Sequence, residues 1–175
     1  RENDLLIDEK EVKVEEECLK ILALYHPLAS DLRFIVSILK VNNDLERIGD
    51  HALAVTKYIN KTALVNSDVF TALPEMADQV KSMLKKSLDA FIHRDYELAK
   101  DVCLLDDFVD ELKKYMQKIV VENIQKDVSK TDEYLVILLI ARHLERIADL
   151  STNIAEDAMY LIEGKIVRHY KKLNP

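Results

Sequence analysis

The chain has 175 residues, 49% hydrophobic and 33% charged, with a formal net charge of −7, which is enough apolar material for a folded core and excludes a disordered chain. Only two glycines and three prolines occur, too few turn residues for a strand-rich fold, so helices are expected throughout. Acidic residues in every segment exclude the concentrated basic face of a nucleic-acid binder, and the longest apolar run, residues 134–141, is far short of the roughly 20 residues that cross a bilayer. No signal-peptide pattern opens the chain, so a soluble, cytoplasmic protein is expected.

Apolar residues recur at spacings of three and four, the pattern of amphipathic helices in a bundle. The first helix is predicted from about residue 2 to residue 25, with Leu5, Val12, Leu19 and Leu22 facing inward. His26-Pro27 ends it, because proline disfavours helix at the residue before it and suits the first turn of the next. The second helix runs from about 28 to 59 on a stripe of Ile35, Ile38, Leu45, Ile48, Ala52, Val55 and Ile59, and the polar stretch 60–71 reads as a linker. Helix three starts near Pro74 and carries Met76, Val80, Leu84, Leu88 and Phe91; His93-Arg94-Asp95 breaks it from helix four, about 96 to 125. After a polar turn at 126–130, Thr131 or Asp132 is expected to cap helix five, which runs to Glu163 and stops at Gly164. Cys18 and Cys103 lack CxxC spacing and read as small buried residues.

Leu45-Glu46-Arg47-Ile48-Gly49-Asp50 returns 99 residues later as Leu144-Glu145-Arg146-Ile147-Ala148-Asp149. Overlaying the copies matches helix one with four and two with five. The domain expectation is a first repeat at 1–65 with two helices and a second at 66–175 with three and a short basic tail. The first repeat would lack its opening helix, which is expected upstream of Arg1. Small residues at Gly49 and Ala148 favour close helix approach, a packing role.

Carboxylates four apart share a helix face, so Glu46 with Asp50, and Glu145 with Asp149, can hold a cation together. An antiparallel hairpin brings residues equidistant from its turn to one height. Residues 8 and 46, and residues 4 and 50, are both centred on Pro27, the expected turn. Residues 110 and 145, and 106 and 149, are both centred between 127 and 128. Asp4 and Asp8 therefore join Glu46 and Asp50, and Asp106 and Asp110 join Glu145 and Asp149. Glu46 and Asp50 lie about 200° around the helix from Ile48, away from the core. Asn43 and Asn153 project near these faces. Such crowding calls for a cation or an arginine; Arg47 and Arg146 offer partial compensation, so a salt-bridged surface is the alternative to a metal cluster. Oxygen-only donors suit Mg²⁺, Ca²⁺, Mn²⁺ or iron better than zinc.

Pro27-Leu28-Ala29-Ser30-Asp31-Leu32-Arg33, then Asp44 to Ala52 with its Glu46-Arg47-Ile48-Gly49-Asp50-His51 core, then Ala141 to Asp149 followed by Asn153-Ile154-Ala155-Glu156, resemble the PhoU family, regulators of bacterial and archaeal phosphate uptake. The resemblance runs nearly to Gly164-Lys165-Ile166. It implies an all-α protein of two similar three-helix bundles whose E(D)xxxD motifs bind metal clusters at the surface. Glu46, Asp50, Glu145 and Asp149 match the motifs, and Asp4, Asp8, Asp106 and Asp110 their partners. The resemblance further implies a cytoplasmic protein beside the membrane, linked to the ATPase subunit of the phosphate ABC transporter and to a sensor histidine kinase. It would repress phosphate-uptake signalling when phosphate is plentiful, and a homodimer is compatible with that role. Ala54 stands where the first repeat would have the counterpart of Asn153, and Leu150 where the second would have that of His51, so equal metal loading is not expected.

The rival functions are a carboxylate-bridged di-metal enzyme and a purely structural helical interaction protein. The enzyme class uses Glu-x-x-His pairs pointing into a bundle core, and this chain has none. His26, His51, His93, His143 and His169 form no ligand spacing with the acids; His51 and His143 read as surface or packing residues. Neither a phosphate loop nor an activated nucleophile is present. The reading that follows is a metal-binding regulatory adaptor without chemistry of its own, its ions drawn from iron, Mn, Mg, Ca or Zn.

Overall fold

The computed structural model describes residues 2–59 and 68–166, with side chains over 5–59 and 72–166. Five helices follow in order: α1 (Glu2–Tyr25), α2 (Ser30–Ile59), α3 (Asp68–His93), α4 (Tyr96–Lys126) and α5 (Thr131–Glu163), with a 3-10 turn (Val128–Lys130) before α5. The all-α expectation holds, and the boundaries move where backbone chemistry moves them. His26 and Ala29 take positive φ angles of 47° and 49° around Pro27, so residues 26–29 are spent on the turn and α2 starts two residues later than expected. The Leu28 and Ala29 carbonyls accept the Asp31 and Arg33 N–H groups at 3.2 and 3.0 Å.

Helix α3 begins before Pro74 and runs through it. One intrahelical hydrogen bond is forgone there, while Leu73 and Met76 on either side are buried, so packing outweighs the proline. Of the expected linker, 60–67 lies outside the described residues and 68–71 belongs to α3. The break after α3 falls as expected: Arg94 takes φ 53° and the Asp95 carboxylate caps α4 by accepting the Leu98 N–H at 3.0 Å. The expected cap at Thr131 or Asp132 is not formed. The N-cap position of α5 is Lys130, with no side-chain bond, because the preceding 3-10 turn is held by Asp127, which accepts from the Ser129 N–H at 3.1 Å. Gly164 closes α5 at φ 70° with its N–H on the Tyr160 carbonyl, the left-handed stop for which glycine is suited.

Helices α3, α4 and α5 pack on one another, and α2 lies along α5. Their shared core includes Met76, Met83, Met116 and Met159, all fully buried, with Val41 and Ile48 contributed by α2. Helix α1 lies on α2, and the inward face is not the expected one. Leu5, Val12 and Leu19 are 63%, 49% and 52% exposed, whereas Cys18 is 4% exposed. Its contact face instead carries Ile7, Glu11 and Cys18, a stripe one or two positions out of register with the leucines. On α2, Ala52 and Ile59 of the expected stripe are exposed. Cys18 and Cys103 are both buried free thiols, and no helix of the described residues is long and apolar enough to cross a membrane.

Candidate functional site

The antiparallel α1–α2 hairpin sets the height of its acids. The Asn42 side-chain amide donates to the Glu11 backbone carbonyl at 2.8 Å, a pair centred between residues 26 and 27, in line with the turn argument. At Gly49 a Cβ would stand 3.1 Å from Ile7 Cδ1, so the missing side chain lets α1 approach α2 beside the acids. Glu46 is half-buried, and its carboxyl is pushed up first by that burial and then by the charges of Asp50, Asp8 and Glu11. Glu11 is the member that sequence reasoning missed; it stands three residues from Asp8, one helical turn on. The side chain of Asp4 lies outside the described residues. Arg47 turns its guanidinium toward Asp44, at 3.8 Å, and among the described residues no lysine or arginine forms an ion pair with Glu46, Asp50 or Asp8.

The second cluster sits on the α4–α5 hairpin and brings Glu145, Asp106 and Asp110 within electrostatic reach of Asp149. Asp149 is pushed up to about 6, first by burial and then by Glu145, Asp106 and Asp110, against the opposing pull of Arg146. Two cations are already present here. Lys113 Nζ lies 2.8 Å from Glu145 Oε1, and Arg146 lies 3.3 Å from the Asp149 carboxylate. Asn153 is exposed one turn beyond Asp149, and Asn43 is exposed near the first cluster. Among the described residues no three carboxylate, imidazole or thiolate groups converge closely enough to hold a metal ion as they stand. A cation would have to draw these carboxylates together.

The seam between α2 and α5 carries polar groups that were not anticipated. Asp44 is buried, its side chain 10% exposed, and burial pushes its carboxyl up to about 6, with Arg47 and Lys40 opposing and Asp157 adding to the rise. Lys40 pairs with Asp157 across the seam at 2.5 Å and lies over the Tyr160 ring. Farther along, His51 and His143 face each other with Nδ1 atoms 3.1 Å apart. Burial, then the neighbouring His143 and Arg47, lower the His51 pKa; burial and Arg142 lower that of His143.

Against known proteins, the PhoU domain model matches residues 1–59 and 73–158. The chain is 37% identical over 166 residues to the "Phosphate-specific transport system accessory protein PhoU homolog" of Clostridium acetobutylicum, covering 94% of this chain and 76% of the relative. It is 37% identical over 174 residues to the Thermotoga maritima "PhoU homolog 1" of the same system, covering 97% and 74%. The crystal structure of PhoU from Pseudomonas aeruginosa superposes at a TM-score of 0.88 with 36% identity, covering 94% of this chain and 80% of that one. The phosphate transport system regulatory protein PhoU from Streptococcus pneumoniae does so at 0.85 with 31% identity, covering 95% and 79%.

Proposed function

The chain belongs to the PhoU family, and from that premise we propose that it is a metal-binding accessory regulator of phosphate-specific transport that lowers phosphate uptake and its signalling when phosphate is abundant. Its relatives carry the names of accessory and regulatory proteins, and the chain is a regulator of that kind and not an enzyme. Its partners in this reading are the ATPase subunit of the phosphate ABC transporter and the phosphate-sensing histidine kinase, met at the cytoplasmic face of the membrane. The observation that carries the reading is the family match over both segments of the chain.

The donor set fits a hard or intermediate cation at the first cluster. Glu46, Asp50, Asp8 and Glu11 supply oxygen donors only, and burial together with the charges of Asp50, Asp8 and Glu11 raises the Glu46 pKa. A bound cation would neutralise that charge and tie α1 to α2. The second cluster has the same donors in Glu145, Asp149, Asp106 and Asp110, but Lys113 and Arg146 occupy part of its field. That observation supports a salt-bridged resting surface there, with the first cluster loading before the second.

The regulatory reading is tested by expressing the chain in a bacterium deleted for its own PhoU and carrying a phosphate-starvation reporter. Repression of the reporter in high phosphate is expected. Persistent derepression, with the folded protein accumulating and the host transporter present, would overturn the reading.

A further inference from the structure

The α2–α5 seam brings together two imidazoles that the regulatory reading does not use. His51 and His143 are 92 positions apart in sequence, with Nδ1 atoms 3.1 Å apart, ring centroids 5.2 Å apart and ring planes inclined at 51°. The Tyr58 ring lies against His143, centroids 5.6 Å apart. Both imidazoles are partly buried and rise from long helices in mutual contact, so their separation is set by the scaffold. As the rings stand, one Nδ1–H donates to the other Nδ1, and the two nitrogens share a single proton.

We propose that His51 and His143 form a two-imidazole chelate for a borderline transition-metal cation of the Zn²⁺, Ni²⁺ and Cu²⁺ class, separate from the carboxylate clusters. With imidazole–metal bonds of about 2.05 Å, a 3.1 Å bite subtends about 100° at the metal, between square-planar and tetrahedral geometry. For both lone pairs to meet at that point each must turn about 40° away from the line joining the two nitrogens. Both Nδ1 atoms then bind the cation, the ring that carried its hydrogen on Nδ1 exchanging it through solvent for one on Nε2 so that both imidazoles stay neutral, and water completes the coordination. No electron changes hands. Imidazole selects Zn, Cu and Ni, whereas carboxylates select Mg, Ca and Mn, so the two kinds of site are separable by the metal offered. The 99-residue repeat offset sets Leu150 in place of His51 and Asp44 in place of His143, so the seam holds one such pair and not a symmetric two. Because α2 carries Glu46 and Asp50 while α5 carries Glu145 and Asp149, a cation at this seam clamps the two cluster-bearing helices together.

The test titrates Cu²⁺ into the full chain and follows its electron paramagnetic resonance spectrum, with Mn²⁺ titrated in parallel. The first equivalent of Cu²⁺ is expected to show hyperfine coupling to imidazole nitrogen. In the His51→Gln/His143→Gln variant that signal is expected to vanish and Cu²⁺ affinity at the site to fall by roughly tenfold or more, while Mn²⁺ binding stays unchanged. The single variant H143Q, with its melting curve matched to the parent, serves if the double variant does not fold. Nitrogen coupling that is unchanged by loss of either histidine, or that disappears only with variants of His26, His93 or His169, would overturn the assignment. So would a parent spectrum showing oxygen ligation alone.

Discussion

Replacing Asp44 by asparagine is expected to stabilise the protein at neutral pH and to flatten its stability profile between about pH 4 and 7. The Asp44 side chain is 10% exposed, and burial lifts its carboxyl from 3.8 to about 6 despite Arg47 and Lys40 nearby. The folded chain therefore binds this proton more tightly than the unfolded chain does. As pH rises through 6 the folded state must ionise a carboxylate inside the seam, and stability falls; below the unfolded value the penalty is gone. A rise of about two units at 1.36 kcal/mol per unit puts the penalty at roughly 3 kcal/mol once both states are ionised. Asparagine keeps the shape and discards the charge. Urea unfolding followed by far-UV circular dichroism at a series of pH values gives both profiles. The variant should be more stable by roughly 2 to 3 kcal/mol at pH 8, with the gap closing toward pH 4. Asp149, also pushed up to about 6, imposes the same sign of pH dependence on both proteins and so cancels in the difference. A gap that does not change with pH, or a variant less stable than the parent at pH 8, would refute the reasoning.

Gly49→Ala should stabilise the chain by roughly 0.5 to 1 kcal/mol: alanine gains about 1 kcal/mol of helix propensity, and the 3.1 Å neighbour is the flexible tip of Ile7. A loss above about 1 kcal/mol in urea unfolding would show that α1 cannot yield there. Ile154→Ala removes a fully buried side chain and should cost about 2 to 5 kcal/mol; Leu5→Ala, at 63% exposure, should stay within about 0.5 kcal/mol, and equal costs in the same assay would place the core wrongly. Lys113→Ala frees Glu145 from its 2.8 Å ion pair and should tighten Mn²⁺ binding at the second cluster roughly fivefold, the worth of an ion pair of about 1 kcal/mol. Calorimetric titration showing unchanged affinity would mean that Lys113 does not compete with the cation.

The helices and their turns were legible in the sequence because periodicity, Pro27 and Gly164 act locally. The hairpin heights were legible as well, since turn position alone determines which residues stand level; the Asn42–Glu11 bond follows that rule. What escaped depends on contacts between elements. Leu5, Val12 and Leu19 form a regular stripe, yet α1 turns Ile7, Glu11 and Cys18 toward α2, because Gly49 admits Ile7 there. Pro74 reads as a helix start, but Leu73 and Met76 hold the helix through it. The His51–His143 contact was invisible because it spans two helices whose register no turn determines. Its only sequence trace is that both histidines depart from the repeat, standing opposite Leu150 and Asp44.

The repeated carboxylate motifs are proposed as cation sites. Crystals of the full chain soaked in Mn²⁺ and measured for anomalous scattering test that proposal most directly. A peak is expected between α1 and α2 bounded by Glu46, Asp50 and Asp8, and a weaker peak between α4 and α5 beside Glu145 and Asp149. Maps without anomalous density at either hairpin, with Lys113 and Arg146 still paired to Glu145 and Asp149, would contradict it.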